Sequence, residues 1–439
     1  MTLARKTDLN TGNILFKKLV IIIMIMASGT LVKAQRDTIS LHIQNEITNT
    51  NVSSGLSDDK ADKKDNLHIS GYTQIYFQYG EKDATLRVGR PNENPDNSFN
   101  RLGLRRNRVK FTYKKGIGSS IFQLDVTEKG ATLKDAYITV SEPYWDIFSI
   151  TAGLFNRPFG YETECSSSQR ASLERSTIVQ TLFPGERDLG AKLTVQAKKS
   201  SRWSVLKLDM GLFAGNSSNM ETDNKKDFIG HLTINPSSEN VIKWNAGISY
   251  YNGGIYQGSN HIFRSVENGF AIDSVIYNIG KYAKREYLGA DIQININTAP
   301  GKTELTAEYI TGQQPGGKNI SKSPDDSRPK TEDVYIRSMS GGYVKLVQEL
   351  GFWNLSGIVK YDWYDPNTQV KGKDTGSNYT GIGDIATNVT GFGLLWQINS
   401  NIQFTAYYEL IRNETSVNLS GYNTDRKDNV FTFRMQYKY

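Results

Sequence analysis

The chain has 439 residues, 38% hydrophobic, 11% aromatic and 22% charged, with a single cysteine and a formal net charge of +7. One cysteine excludes an intrachain disulfide, and a mean hydropathy of −0.49 excludes a bundle of membrane-spanning helices. Five basic residues and one acid fall within the first 34 positions, so the remainder carries +3, the difference between +7 and +4, which gives no reason to expect a nucleic-acid partner.

Reading from the N-terminus, Arg5, Lys6, Lys17 and Lys18 precede an unbroken apolar run from Leu19 to Ala27, and Val32-Lys33-Ala34 resembles a cleavage site. The run is far shorter than the roughly 20 residues of a membrane-spanning helix. Residues 1–34 are therefore expected to be a signal peptide, and no cysteine follows to carry a lipid anchor. Residues 35–66 are polar, end in Asp58-Asp59-Lys60-Ala61-Asp62-Lys63-Lys64-Asp65, and are expected to form a flexible periplasmic segment.

From Leu67 to the end the chain reads as strands. Alternation with a period of two puts one face in an apolar medium and the other in water. Sixteen segments are expected, at 67–79, 101–114, 118–128, 133–140, 147–155, 188–197, 203–214, 227–235, 241–251, 285–297, 302–312, 336–347, 353–364, 385–398, 401–411 and 428–439. Short connections such as Lys115-Gly116-Ile117 and Asn399-Ser400 alternate with long ones such as 80–100, 156–187 and 252–284; Lys129 to Thr132 is brief where a long one is due. Short turns on one rim and long loops on the other are the pattern of a transmembrane antiparallel β-barrel, which gives an all-β fold over 67–439.

In the second strand Val109, Phe111 and Tyr113 set the lipid face, so Arg106, Arg108 and Lys110 stack along the lumen. The opposite register would place three cations in lipid at about 2–4 kcal/mol each. Arg105 then falls on the outward face, near enough to the rim to snorkel. Gln123, Asp125, Asp135 and Tyr137 are expected to line the lumen too. Pairing of the cations with Asp125 and Asp135, which would only tie the wall together, is the alternative.

The loop 156–187 is long enough to fold inward and narrow a pore. It sets Arg157, Arg170, Arg175 and Arg187 against Glu162, Glu164, Glu174 and Glu186, a net charge of zero that would build a transverse field; the alternative is a solvated surface loop. In later strands Leu288, Ala290, Ile292 and Ile294 oppose Gly289, Asp291, Gln293 and Asn295, while Tyr250, Tyr251, Trp353, Trp363, Tyr364 and Trp396 suit interfacial girdles. The last strand carries Phe431, Phe433, Met435, Tyr437 and Tyr439 on one face. Phe431, Phe433, Tyr437 and Tyr439 are expected to serve as a signal to the outer-membrane assembly machinery.

The Arg105-Arg106-Asn107-Arg108 run, the segment from Thr151 to Glu162 and the stretch from Glu174-Arg175 to Arg187-Asp188-Leu189-Gly190 together resemble the phosphate-selective porin O and P family. The resemblance is strongest over 67–195 and looser towards the C-terminal strand. It implies a sixteen-stranded outer-membrane barrel, usually a homotrimer, that passes anions by diffusion. In phosphate-specific members an arginine ladder and lysine clusters bind the substrate; Arg106 and Arg108 match the ladder by position, and the lysine clusters are not matched.

The expected function is thus passive diffusion of small anionic or polar solutes, with outer-membrane lipid as surroundings and no cofactor or metal. His42, His68, His231 and His261 lack metal-ligand spacing. Two other readings remain open at this point: a barrel enzyme, which would need a nucleophile or acid pair near His261, and a non-conducting adhesion barrel using the loops 252–284 and 313–335.

Overall fold

The structure, a computed structural model, describes residues 66–236, 241–324 and 332–439. The expected signal peptide and positions 35–65 of the expected N-terminal segment lie outside the described residues. The strands are β1 (Asn66–Gly80), β2 (Phe99–Lys115), β3 (Gly118–Thr127), β4 (Gly130–Ser141), β5 (Phe148–Asn156), β6 (Arg187–Gln196), β7 (Leu206–Phe213), β8 (Asp227–Ile234), β9 (Ile242–Tyr256), β10 (His261–Val266), β11 (Gly269–Ser274), β12 (Tyr282–Thr298), β13 (Gly301–Gly316), β14 (Val334–Glu349), β15 (Leu355–Asp365), β16 (Thr387–Gln397), β17 (Ile402–Asn413) and β18 (Val430–Lys438). Between β5 and β6 lie two short helices, α1 (Gly160–Glu164) and α2 (Thr177–Leu182).

Sixteen of these strands pair antiparallel with their neighbours and close into a barrel, with β9 joined to β12 and β18 to β1. The chain ends on the seam, where the backbone N–H of Tyr439 donates to Gly71 O at 3.0 Å and the N–H of Gly71 to Tyr439 O at 2.9 Å. A closed wall leaves no unpaired edge in lipid.

The alternation sorts the two faces. Leu288 is 59% exposed outside, whereas Asp291 and Gln293 on the same strand are buried inside. Among the aromatic residues expected in girdles, Tyr250 and Trp396 face outward, but Tyr251 and Tyr364 are buried in the interior. Each is the strand neighbour of an outward residue, and successive side chains point to opposite faces.

Strands β10 and β11 fall within the long connection 252–284. They form a hairpin beyond the wall, turned by Glu267-Asn268 with Asn268 at φ +64°. Strand β10 runs parallel to the start of β14, and the Phe263 ring stacks on Tyr335 at 4.3 Å.

Two bulges interrupt the wall. Gln74 faces Arg106 and Ile75 faces Leu104, which leaves Arg105 as the extra residue in β2. Gln123 faces Asp135 and Leu124 faces Leu133, which leaves Lys134 extra in β4. A bulge re-aims side chains that a regular strand would send to the other face.

Candidate functional site

The connection from β5 to β6 lies inside the barrel, and the wall holds it in two different ways. On one side the contact is apolar. Phe159, Ile178, Val179, Leu182 and Phe183 pack with the inward side chains Phe213, Ile229, Tyr251, Tyr287, Ile310, Met339 and Tyr364, supplied by strands from β7 to β15. Phe159 lies 4.9 Å from the Phe183 ring and over Gly289, where a Cβ would sit 2.8 Å from it.

Wall acceptors finish the start of each helix. The N–H of Gly160 donates to Ser249 Oγ at 2.8 Å and that of Glu162 to Glu308 Oε2 at 3.0 Å. The N–H of Thr177 donates to Asp362 Oδ2 at 3.0 Å. These donors have no partner within a helix, so wall oxygens replace water. Gly160 has φ +61°, and a Cβ there would collide with the Glu308 carboxylate. Lys360 Nζ lies 3.3 Å from Glu162 and 3.8 Å from Asp362.

On the other side the contact is ionic. Glu174 accepts from Arg105 Nε at 2.8 Å and from Arg106 Nη2 at 2.6 Å. Arg108 Nε lies 3.0 Å from Asp125 and Arg187 Nε 2.9 Å from Asp135. Glu186 bonds to both Arg175 and Arg187, and Arg157 pairs with Asp188 at 3.1 Å. Arg175 also donates to the carbonyls of Glu162, Thr163 and Cys165, which fastens the loop to itself.

Burial alone would push the Glu174 carboxyl up. The Arg105 and Arg106 guanidinium groups overcome that and hold it well below the usual carboxylate range. Glu162 is likewise depressed against its burial by Lys360, Arg170 and the Ser176 hydrogen bonds. Arg175 and Arg187 do the same to Glu186.

Arg106, Arg108, Asp125, Gln123 and Asp135 point inward and are buried, while Lys110 and Tyr137 point inward and are partly exposed. Tyr137 meets the Phe155 ring at 5.7 Å. Arg105 departs from the expectation of an outward, snorkelling side chain: as the extra residue of the bulge it turns inside to Glu174. In the loop, Arg157, Glu162, Arg170, Glu174, Arg175 and Arg187 are buried, and Glu164 is partly exposed. Arg170 offers its carbonyl to Arg434 at 3.4 Å. Phe433, Tyr437 and Tyr439 face outward, and Phe431 is partly exposed.

Several interior cations went unmarked in the sequence. Lys345 and Lys360 face each other across β14 and β15, Lys192 and Lys207 flank Asp209 at 3.1 and 2.8 Å, and Arg434 is bonded to Gln403 and Thr405. Their strands alternate, so the signal was present in each. Of the histidines, His231 pairs with Asp291 at 3.1 Å. His261 Nδ1 lies 3.4 Å from Asp333, the carboxylate to which Ser259 Oγ donates at 2.7 Å, so that hydroxyl is turned to an acid and away from the imidazole. Among the described residues no group of three His, Cys, Asp or Glu side chains is placed to hold a metal.

Comparison with solved structures gives the same architecture at low identity. OmpF of Salmonella typhi, in a complex with daunomycin, is 12% identical with a TM-score of 0.54, over 85% of this chain and 98% of that one. The outer membrane channel DcaP of Acinetobacter baumannii is 12% identical with a TM-score of 0.51, over 88% and 100%. An anion-selective porin from Comamonas acidovorans is 9% identical with a TM-score of 0.50, over 86% and 100%. No curated protein matches the chain in sequence. The profile described as phosphate-selective porin O and P matches residues 103–439. The chain belongs to the phosphate-selective porin O and P family and is an outer-membrane β-barrel channel for small solutes.

Proposed function

We propose that this channel passes small anions in preference to cations, by passive diffusion and without a catalytic step, and that it works as the homotrimer the family resemblance implies. The carrying observation is where the interior charges are wetted. Among the described buried side chains, eleven Arg and Lys balance eleven Asp and Glu. The partly exposed, inward-facing set is not balanced. It holds Arg101, Arg105, Lys110, Lys134, Lys192, Lys207, Lys243, Lys302 and Lys438 against Glu164, Glu186, Glu304 and Glu409.

Buried pairs cancel one another and fix the wall. Wetted lysines lower the barrier for anions and raise it for cations. On this reading Arg106 positions the loop through Glu174 and Arg108 through Ser167 Oγ at 3.3 Å, and the partly exposed lysines attract the solute. The loop 157–186 is the constriction, and the aromatic face of β18 is the signal to the assembly machinery.

The reversal potential of the purified protein across a potassium chloride gradient in a planar bilayer tests the preference. Anion selectivity that fades as salt rises is the expected result. A reversal potential of cation-selective sign would overturn the proposal.

A further inference from the structure

We infer that Lys134 sets the charge preference of the constriction, and that the β4 bulge is what delivers it there. The inference rests on the anion-preferring reading above. In β4, Asp135 and Tyr137 face the interior, and Ile138 is 56% exposed outside. A regular strand would put Lys134 on the outer face with Ala136 and Ile138, where an ammonium in lipid is strongly unfavourable. The register shift between Gln123 and Leu124 leaves Lys134 with no residue opposite it. The charges acting on its ammonium are all interior ones: Arg108, Arg187, Asp125 and Glu186. The side chain has therefore been turned into the lumen.

The surrounding charges leave Lys134 as the odd one. Asp125 is held by Arg108, Asp135 by Arg187, and Glu186 by Arg175 and Arg187. Three carboxylates thus meet three guanidinium groups, and these arginines are all buried. Lys134 adds a fourth cation, partly exposed, and among the described residues it makes no ion pair. An ammonium that no carboxylate pins is free to meet a passing anion.

Its position on the wall matters equally. The loop is sealed against the strands from β7 to β15 by the aromatic contact. It is sealed again where Leu173 meets Tyr76, Ile358, Leu395 and Tyr407. The inward side chains left partly exposed beside the loop include Arg105 of β2, which Glu174 holds, Lys134 and Tyr137 of β4, and Lys192 of β6. A solute path along this stretch of wall runs past Lys134.

The test is the anion-to-cation permeability ratio of the full-length protein and three variants in planar bilayers. One unit charge about 10 Å from the path, at an effective dielectric near 20 and screened over about 10 Å in 0.1 M salt, moves the anion and cation barriers oppositely and alters the ratio on the order of tenfold. Lys134→Gln is expected to lower the ratio by about that much, and Lys134→Arg to keep it. Deletion of Lys134 restores regular pairing and should match Lys134→Gln. An anion-selective parent whose ratio is unchanged in Lys134→Gln overturns the inference and leaves the anion reading standing. A parent without anion selectivity overturns the anion reading itself.

Discussion

The inward loop meets two kinds of wall, and the pair shows how one segment is fixed across a wide barrel. From β7 to β15 it is seated by rings and aliphatic side chains, with backbone N–H groups of both helices received by Ser249, Glu308 and Asp362. Towards β1, β2 and β4 it is tied by Glu174 to Arg105 and Arg106, by Ser167 to Tyr72 and Arg108, and by Glu186 to Arg187, which Asp135 holds. Apolar contact is non-directional and its strength follows the area removed from water. Charged hydrogen bonds are directional and depend on both partners keeping their charge. The dry side therefore decides whether the loop stays, and the ionic side decides where its charges point.

The harshest break of the dry side is Phe183→Ala. The ring is 1% exposed and touches Phe159, Tyr251 and Tyr287 at 4.9, 6.1 and 5.8 Å. Truncation of such a ring costs about 3–5 kcal/mol, since the cavity closes only in part. Single-channel current noise should rise and the thermal midpoint in detergent should fall, with the permeability ratio nearly constant. A change of selectivity as large as that from Lys134→Gln would erase the distinction between the two walls.

A milder break addresses the ionic side. Glu174→Gln keeps an acceptor of the same shape but leaves Arg105 and Arg106 without a counter-charge. The lost charged hydrogen bonds cost about 1.5–3 kcal/mol. Here the permeability ratio should move towards anions while the noise rises less than in Phe183→Ala. Measuring both variants in the same bilayers separates seat from tie, and an unmoved ratio would place Glu174 away from any solute path.

Much of this was legible beforehand, and the rest was hidden for reasons specific to β geometry. The sixteen wall strands, the inward register of Arg106, Arg108 and Lys110, and the brief β3–β4 turn follow from period-two alternation, which needs only local sequence. Arg105 and Lys134 escaped because a bulge is set by the partner strand's register, which no single strand carries. The hairpin of β10 and β11 escaped because it packs on Tyr335 and the start of β14, far along the chain. Tyr251 and Tyr364 were assigned to girdles on residue type alone, though parity with Tyr250 and Trp363 sends them inside. The loop's aromatic seat was the least legible feature: it gathers single inward residues from seven strands, each of which looks like an isolated aromatic or aliphatic exception in a polar face.

The smallest expected effect is also the one that distinguishes the two sides without mutation. On the ionic side Glu174 and Glu186 both titrate below the usual carboxylate value of 4.5 in the folded protein. A depressed folded value stabilises above the unfolded value, and that contribution is lost as pH falls through the folded one. From pH 7 to about 5 the ionic ties should therefore hold, and acid below the ordinary carboxylate range should erode them progressively. The ring contacts made by Phe183 carry no proton to exchange in that range. Channel noise in the parent should stay level down to about pH 5 and rise below it. Phe183→Ala should start noisier and keep the parent's acid rise, while Glu174→Gln should start noisier and rise less, because one of the titrating groups is gone. Identical acid profiles in all three proteins would mean that the rings alone hold the loop, and the ionic side would then be left with selectivity as its only role.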